Sequence, residues 1–196
     1  MHFVLASSSP YRQSLLKKLH IAFDSHSPQT DESAKIGETV HQQVARLAKE
    51  KARQVASYQS NDSYVIGSDQ LATFNSQALG KPGSFDKAKQ QLMMFSGHKV
   101  TFHTGLCVLR CSDKHIEHKV ETFDVKFKVL SEKQITTYLN IEQPYDCAGS
   151  FKCEGLGIAL FESLDGRDPN SLIGLPLIAL FDLFNLMSVD LFDYMR

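Results

Sequence analysis

Apolar runs and amphipathic segments alternate along the first half of the chain, which predicts alternating strands and helices and therefore an α/β fold. The predicted strands cover residues 3–6 and 21–27, and the predicted helices cover residues 10–19 and 39–57. A third apolar run, "SYVIGSDQ", predicts a strand that ends in polar residues at Asp69. Ligands of open α/β sheets bind beyond the carboxyl ends of strands. We therefore expect Asp69 and the serines of "FVLASSS" to meet at one polar edge.

The second half of the chain shows a different pattern. The residues "FNSQ" predict a turn and "GKPGS" a loop, and a helix is predicted over residues 85–94. Residues 99–129 lack a helical period and are rich in β-branched and aromatic residues, with a turn signal at "CSDKH", so they predict a long hairpin. A helix near residues 131–140 follows, with Ser131 as its N-cap. The apolar segment "LIGLPLIALFDLFNLM" predicts one packed C-terminal helix.

Composition limits the functional classes. A chain of 196 residues with 42% hydrophobic and 22% charged residues can bury a core, as one domain over residues 1–196 or two closely joined lobes. Twenty-one basic and 22 acidic residues leave a formal charge of −1, so we expect neither nucleic acid nor a membrane as a partner. The pattern lacks a signal peptide and an uncharged 18-residue stretch, and the four cysteines include no C-x-x-C pair. These features favour reduced thiols in the cytoplasm.

The helix after the first strand begins unusually. Ser9 is a good N-cap and Pro10 suits the first helical position, which makes Arg12 the third helical residue. A cation there faces the positive pole of the helix, at a cost of roughly 0.3 to 1 kcal/mol, and a bound anion would reverse the sign. Free N–H groups, serine hydroxyls and an arginine fork make a phosphate cradle. The alternative is an ordinary solvated arginine behind a good cap.

Further charged residues occupy positions where they need partners. On a helical wheel Lys51 falls within the apolar stripe of residues 40–55, so it must either extend to solvent or meet a carboxylate. Asp69, with Glu32 from a polar loop, is able to hold a divalent metal or activate water, although an aspartate after a strand is also a common turn residue. Lys81, between Gly80 and Pro82, suits either a fixed cation or an ordinary turn.

Together these residues provide three basic groups, two carboxylates and a helix start, a combination that suits a metal-bound polyphosphate. Other classes of site lack their motifs. The eight histidines show no H-x-x-x-H or H-E-x-x-H spacing, which argues against a histidine-built metal site. The chain has no Walker A loop and no G-x-G-x-x-G, and Ser9 has no G-x-S-x-G context, which argues against a serine-triad hydrolase.

The motifs "LASSSPYRQSLLKKL", "DES", "LAKEKA", "IGSDQ", "GKP", "TGL", "AGSFKCEGLG" and "GRDPNSLIGLPL" occur in the order seen in the Maf family of nucleotide pyrophosphatases. The resemblance spans nearly the whole chain. It implies an elongated mixed α/β sheet flanked by helices, shared with the inosine-triphosphate pyrophosphatase superfamily. It also implies a cytoplasmic enzyme that cleaves a nucleoside triphosphate between the α and β phosphates with Mg²⁺ or Mn²⁺. Such proteins are often dimeric, so a homodimer is expected.

Within the family, "SDQ" and an aromatic residue before the arginine resemble the branch that acts on 7-methyl-GTP. Tyr11 stands where that branch often carries tryptophan. By this resemblance Asp69 matches the proton acceptor, and Tyr11, Gln70 and Glu154 match the specificity positions. Methylation at N7 makes guanine cationic, so the Tyr11 ring could stack on it through cation–π attraction of roughly 0.5 to 2 kcal/mol. Glu154 could accept hydrogen bonds from the N1 and N2 edge of the base.

The sequence therefore predicts a 7-methyl-GTP pyrophosphatase in which Asp69 orients or deprotonates water and Glu32 and Asp69 hold the metal. The predicted phosphate-binding residues are Ser7, Arg12, Lys51 and Lys81. Two alternatives stay open. One is the same chemistry on unmodified nucleotides such as dTTP, UTP or GTP, and the other is a nucleotide-binding regulator of cell division. The presence of Asp69 favours catalysis over simple binding.

Overall fold

The computed structural model describes residues 1–196, which form two compact units. The first unit contains residues 1–70, 104–121 and 168–196, and the second contains residues 71–103 and 122–167. The strands are β1 (His2–Ala6), β2 (Phe23–Ser25), β3 (Ser63–Phe74), β4 (Gln77–Leu79), β5 (Lys99–Arg110), β6 (Ile116–Phe127) and β7 (Phe161–Gly166). The helices are α1 (Pro10–Lys17), α2 (Val40–Ala56), α3 (Phe85–Phe95), α4 (Glu132–Glu142), α5 (Pro169–Ile173) and α6 (Leu177–Leu186).

The strands form a mixed sheet, in agreement with the predicted α/β class. Their order is β2-β1-β3-β5-β6-β7, and β4 pairs with β3. Strand β1 is parallel to both β2 and β3, whereas the β3–β4 and β6–β7 pairs are antiparallel. Ala6 lies opposite Gly67, so the chain leaves β1 at Ser7 beside Ser68 of β3. Polar residues that are 61 positions apart in the sequence are thereby placed at the same level of the sheet.

Side chains of the first unit alternate between two hydrophobic layers, as the period of a strand requires. Phe3, Leu5 and Ile66 pack with residues of α1 and α6 on one face of the sheet. Val4 and Val65 pack with residues of α2 on the other face. The central strands are therefore buried on both sides, which explains why their sequences are almost continuously apolar.

Two strand glycines allow α2 to lie directly against the sheet. A Cβ added at Gly67 would stand 2.2 Å from the Ala48 backbone oxygen and 2.9 Å from the Ala52 Cβ. A Cβ at Gly105 would stand 2.2 Å from the Val44 oxygen. Side chains at these points would force the helix away from the strands. The two glycines thus bring the middle of α2, including Lys51, close to β3.

We expect Gly67→Ala to lower the free energy of unfolding by about 1–3 kcal/mol, because backbone atoms must move to relieve the overlap. Chemical denaturation followed by circular dichroism would measure the change. Gly80→Ala is the matched control, since a Cβ there meets nothing within 4 Å. Equal stability of Gly67→Ala and wild type would contradict the close packing of α2.

Four elements differ from the sequence prediction, including β4, which runs from the end of the predicted turn at "FNSQ" to the predicted loop at "GKPGS". Strand β3 does not end at Asp69 but continues to Phe74, because its second part pairs with β4 across the turn at Asn75 and Ser76. Strand β7 was not predicted from the sequence. Its residues 162–166 are exposed and lack an apolar run, and pairing with β6 makes them a strand.

The predicted single C-terminal helix is wrong, because two helices form. Gly174, with φ 111°, ends α5, and Pro176 occupies the N-cap position of α6. A residue before proline is disfavoured in the helical region, and glycine readily adopts positive φ. The other predicted helices and the long hairpin are confirmed, and Ser131 caps α4 as expected.

The second unit has an aromatic core. Phe127 makes ring contacts with Phe95, Phe151 and Phe161 at centroid distances of 5.4, 5.8 and 5.3 Å. Phe102 contacts Phe151 edge to face at 5.3 Å. Edge-to-face pairs of this kind stabilise a core beyond the area that they bury. Across both units, no helix combines the length and apolarity that crossing a membrane would demand.

Candidate active site

A lysine held between two carboxylates forms the centre of the candidate site. Lys51 Nζ lies 2.6 Å from Asp69 Oδ1 and 2.6 Å from Glu32 Oε1. The side chains of Lys51 and Asp69 are only 8% and 9% exposed, whereas that of Glu32 is 64% exposed. Lys51 therefore does not reach past the apolar stripe to solvent. It meets carboxylates, which is the second of the two outcomes that the sequence allowed.

Three side chains of α2 form hydrogen bonds with the loop that carries Glu32, and none of them was predicted to belong to the site. Gln43 Nε2 donates to the Glu32 backbone oxygen at 3.1 Å, and Gln54 both donates to and accepts from the backbone of Gln29. Arg46 donates to the Ser33 oxygen at 3.0 Å. Gln43 is buried, and a buried polar side chain needs a hydrogen-bond partner. A polar residue beside the apolar stripe of α2 was the only sequence signal that could have identified it. These contacts fix the backbone on both sides of Glu32.

Arg46 also fixes the end of the same loop through a bidentate ion pair. Its Nε and Nη2 lie 2.7 and 2.8 Å from the two oxygens of Glu38, and its Nη1 lies 2.9 Å from Glu50. The hydrogen bonds from Arg46 are the main reason that the pKa of Glu38 falls from 4.5 to about 2. Planar, bidentate pairs are the strong form of this interaction.

The ion pair predicts a pH-dependent stability. Because the pKa of Glu38 is lower in the folded protein, its stabilising contribution is complete above pH 4.5 and is lost as the pH falls towards 2. We expect Glu38→Gln to lower the melting temperature at pH 7 and to approach the wild type as the pH falls through 2. Differential scanning calorimetry across this range would test it. Glu132→Gln removes an exposed pair with Lys89 and serves as the control, with a smaller expected shift. A Glu38→Gln difference that does not vary with pH would contradict the assignment.

Arg12 has protein partners that the sequence analysis did not foresee. Its Nε donates to the Gly174 backbone oxygen at 2.9 Å and its Nη1 donates to the Ser68 oxygen at 2.9 Å. These two carbonyls, together with the nearby charges of Asp69 and Glu32, compensate the cation at the start of α1. The unfavourable position of Arg12 in the helix therefore does not require a bound anion to explain it. A guanidinium has five N–H donors, so three remain for other acceptors.

Burial lowers the pKa of the Arg12 guanidinium, and the nearby carboxylates of Asp69 and Glu32 oppose this change. Arginine stays protonated throughout the working range of a protein. The charge of Arg12 is thus present at every relevant pH beside Lys51, Asp69 and Glu32, which we call the Lys51 cluster. The first unit brings together two cations and two carboxylates that are spread over residues 12–69.

Gln70 is held with its amide in one orientation. Its Nε2 lies 3.0 Å from Thr104 Oγ1, 2.7 Å from the Ser171 oxygen and 3.2 Å from the Leu172 oxygen. Thr104 Oγ1 itself donates to the Ser171 oxygen at 2.8 Å, so it accepts from Gln70. All three partners are acceptors, and the side-chain nitrogen must therefore face them. The side-chain oxygen of Gln70 takes no part in these three contacts.

The remaining predicted site residues have different surroundings. Ser7 is buried at the end of β1, and its Oγ accepts from Ser9 N at 3.1 Å in a local turn. Tyr11 is half-buried in the first turn of α1. Lys81 and Glu154 are exposed residues of the second unit, and the Cys153 thiol lies 3.5 Å from Glu154 Oε2. The roles of these four residues stay predictions.

The carboxylates fit a divalent cation only in part. No group of three or more histidine, cysteine, aspartate or glutamate side chains is placed to hold a metal ion. Glu32 and Asp69 supply two carboxylates, with Lys51 between them. Mg²⁺ typically binds one or two carboxylates and takes its other ligands from substrate phosphates and water. The residues present therefore suit a metal that arrives with a phosphorylated ligand.

Comparison with known proteins decides the family. Residues 2–187 match the model of the family described as Maf-like protein. The chain belongs to the Maf family. The family predicted from the motifs is therefore confirmed, and the match covers both units.

Relatives of this Maf protein are similar over their whole length. It is 54% identical over 196 residues to the 7-methyl-GTP pyrophosphatase of Pseudoalteromonas atlantica (strain T6c / ATCC BAA-1087), covering 100% of both chains. It is 50% identical over 187 residues to the 7-methyl-GTP pyrophosphatase of Colwellia psychrerythraea (strain 34H / ATCC BAA-681), covering 95% of this chain and 93% of that one.

A solved HAM1 protein from Coxiella burnetii shares the fold of this Maf protein. The two structures match with a TM-score of 0.50, over 96% of this chain and 98% of that chain. Their sequences are 14% identical, so this similarity supports the fold alone. It agrees with the mixed α/β sheet that the sequence predicted.

Proposed function

We propose that this Maf protein hydrolyses 7-methyl-GTP to 7-methyl-GMP and pyrophosphate, and so clears modified nucleotides. The observation that carries the proposal is the buried Lys51–Asp69 pair, with Glu32 on the same ammonium group and Arg12 nearby. Two cations beside two carboxylates suit both the charge of a triphosphate and the activation of water. The full-length relatives named 7-methyl-GTP pyrophosphatase support the same substrate.

In the proposed reaction, water attacks the α phosphorus of the nucleotide. The α–β phosphoanhydride bond breaks, and pyrophosphate is the leaving group. Asp69 orients this water and accepts its proton. Only one of its oxygens is within hydrogen-bond distance of Lys51, which leaves the other for the water. Lys51 keeps the Asp69 side chain in place, and Arg12 neutralises phosphate charge through the donors that its carbonyl partners leave unused. Ser7 and the N–H groups at the start of α1 bind further phosphate oxygens.

A divalent cation, Mg²⁺ or Mn²⁺, belongs to this proposal. Glu32 and Asp69 are the residues that would hold it, and when bound it would neutralise charge on the phosphates. Lys81 would add a further positive charge. We also propose that the enzyme acts in the cytoplasm, where thiols stay reduced, since its four cysteines form no disulfide bonds. A homodimer stays a prediction.

Base recognition is assigned to Tyr11, Gln70 and Glu154. A 7-methylguanine ring is cationic, so stacking on Tyr11 adds cation–π attraction to ordinary apolar contact. Glu154 accepts hydrogen bonds from the N1 and N2 edge of the base and attracts its charge. The oriented carbonyl oxygen of Gln70 also suits a donor group or a positive charge on the ligand.

Pyrophosphate release from a nucleotide panel tests the proposal. We expect kcat/KM to be highest for 7-methyl-GTP when GTP, dTTP and UTP are compared in the presence of Mg²⁺ or Mn²⁺, with turnover lost after chelation by EDTA. Higher kcat/KM for an unmodified nucleotide would replace the proposed substrate. Binding without pyrophosphate release from any nucleotide would favour a regulator over an enzyme.

Tyr11→Ala is expected to lower kcat/KM for 7-methyl-GTP more than for GTP. The difference between the two substrates should reach about 2- to 30-fold, which corresponds to cation–π attraction of ~0.5 to 2 kcal/mol. Tyr11→Phe keeps an aromatic face and serves as the control, with most of the preference retained. Equal losses for both nucleotides would show that Tyr11 does not read the methyl group.

A further inference from the structure

Helix α5 ends in carbonyl groups that hold two of the predicted ligand-binding side chains. The Gly174 oxygen accepts from Arg12 Nε at 2.9 Å, and the Ser171 and Leu172 oxygens accept from Gln70 Nε2. The orientation of both side chains therefore depends on where the C-terminal end of α5 lies. Five residues make a helix too short to be stable without help from its surroundings.

Asp168 supplies that help through a single buried carboxylate, only 1% exposed. Its Oδ1 accepts from the backbone nitrogen and from Nδ2 of Asn170, each at 2.8 Å. Its Oδ2 accepts from Ile178 N at 2.7 Å, in the first turn of α6. One side chain thus joins the start of α5 to the start of α6. The segment between them, which includes Gly174, is therefore held by a hydrogen bond at each end.

We propose that Asp168 is a positioning residue, which acts on the ligand through Arg12 and Gln70 rather than by touching it. The inference rests on the proposed function, because it takes these two side chains to bind the nucleotide. A residue that only capped a helix would need one oxygen at the N-terminus of α5. Asp168 uses its second oxygen on α6, and this contact adds to those of Ser68 Oγ with the Gly174 oxygen and Thr104 Oγ1 with the Ser171 oxygen in positioning the carbonyl end of α5.

The carboxylate is specifically required by this arrangement. In Asp168→Asn, one oxygen can still accept from Asn170, but the new amide group would face Ile178 N–H with a donor opposite a donor. The α6 contact is therefore lost while the size and shape of the side chain are kept. The variant separates the cap of α5 from its attachment to α6.

Two readouts test the proposal on the full-length enzyme. In steady-state assays with 7-methyl-GTP, we expect Asp168→Asn to raise KM about tenfold with kcat within about threefold of wild type. In the nucleotide-free protein, ¹⁵N NMR of arginine side chains should show a shifted, faster-exchanging Arg12 Nε–H, assigned by comparison with Arg12→Lys. In an Arg12→Ala/Gln70→Ala background, Asp168→Asn should change KM less than threefold, since its effect passes through those residues.

Asp190→Asn is the matched control. Asp190 caps a short helical turn of the same unit by accepting from Phe192 N at 2.9 Å. It should change neither KM nor the Arg12 signal. If Asp168→Asn fails to fold, Asn170→Ala removes one of the hydrogen bonds that hold the Asp168 carboxylate in the orientation in which Oδ2 meets Ile178 N, so it should weaken the α6 contact and produce the same changes to a smaller extent.

The results separate this inference from the proposed function. Pyrophosphate release by the wild type, with unchanged KM and an unchanged Arg12 signal in the Asp168 and Asn170 variants, would overturn the positioning role alone. A shifted Arg12 signal in a protein that cleaves no nucleotide would support the positioning role and overturn the proposed function. Equal KM changes in the Asp168 and Asp190 variants would reduce Asp168 to a general structural role.

Discussion

Replacing Asp69 with asparagine is expected to lower kcat for 7-methyl-GTP by about 10²- to 10⁴-fold, the usual loss when a general base is removed. Asparagine keeps the size of the side chain and one oxygen near Lys51, but it cannot accept a proton from water. Pyrophosphate release under saturating substrate would measure the effect. At saturating Mg²⁺ the change in KM should be much smaller, because the basic residues proposed to meet the phosphates, Arg12, Lys51 and Lys81, are retained.

A matched variant keeps this result interpretable. Asp124 is a carboxylate of the second unit that accepts from Lys99 and Thr101, so Asp124→Asn removes a paired charge that makes no contact with Lys51, Asp69 or Glu32. We expect it to retain turnover near that of wild type. Circular dichroism and melting temperatures would show that both variants fold. Wild-type turnover in Asp69→Asn would mean that another group activates the water.

Replacing Lys51 with methionine is expected to lower the free energy of unfolding by about 3–5 kcal/mol, because removing one member of a buried pair leaves the other charge uncompensated. The aliphatic part of the side chain keeps its place in the apolar stripe of α2, so the loss reports mainly on the ammonium group. Denaturation with urea at pH 7 would measure it. Activity should also fall, since Asp69 loses the contact that holds it.

Two comparisons test the electrostatic origin of this loss. The double variant Lys51→Met/Asp69→Asn should recover part of the stability, because it leaves no buried unpaired charge on Asp69. Lys89→Met breaks a pair with Glu132, whose side chain is 66% exposed, and should cost less than about 1 kcal/mol. A similar cost for the Lys51 and Lys89 variants would contradict the importance of burial.

Helix positions were the most predictable part of the fold. Caps and apolar periods placed α1, α2, α3 and α4 to within a few residues, and β-branched composition located the hairpin of β5 and β6. Errors arose where pairing with a neighbouring strand, or the backbone conformation of one residue, decides the secondary structure. Strand β7 has an exposed sequence and exists because β6 offers it a partner.

The candidate site was predictable as a set of residue types but not as an arrangement. Lys51 stood out because a cation in an apolar stripe needs a partner, and the structure supplies Asp69 and Glu32. Arg12 stood out for the same reason, yet its observed partners are backbone carbonyls. Carbonyl groups occur at every residue, so no sequence pattern could identify the two that Arg12 uses.

Local sequence was sufficient to establish the α/β class, the family and the charged residues of the site, because periodicity, caps and motif order are properties of nearby residues. Contacts over long separations were settled only by folding. Gly67 lets α2 approach β3 closely enough for Lys51 to reach Asp69. Asp168 joins two helices whose carbonyls orient Arg12 and Gln70. These effects depend on close packing and on hydrogen-bond geometry between separate elements, and the contacts of Arg12 and Gln70 join residues more than 100 positions apart in the chain.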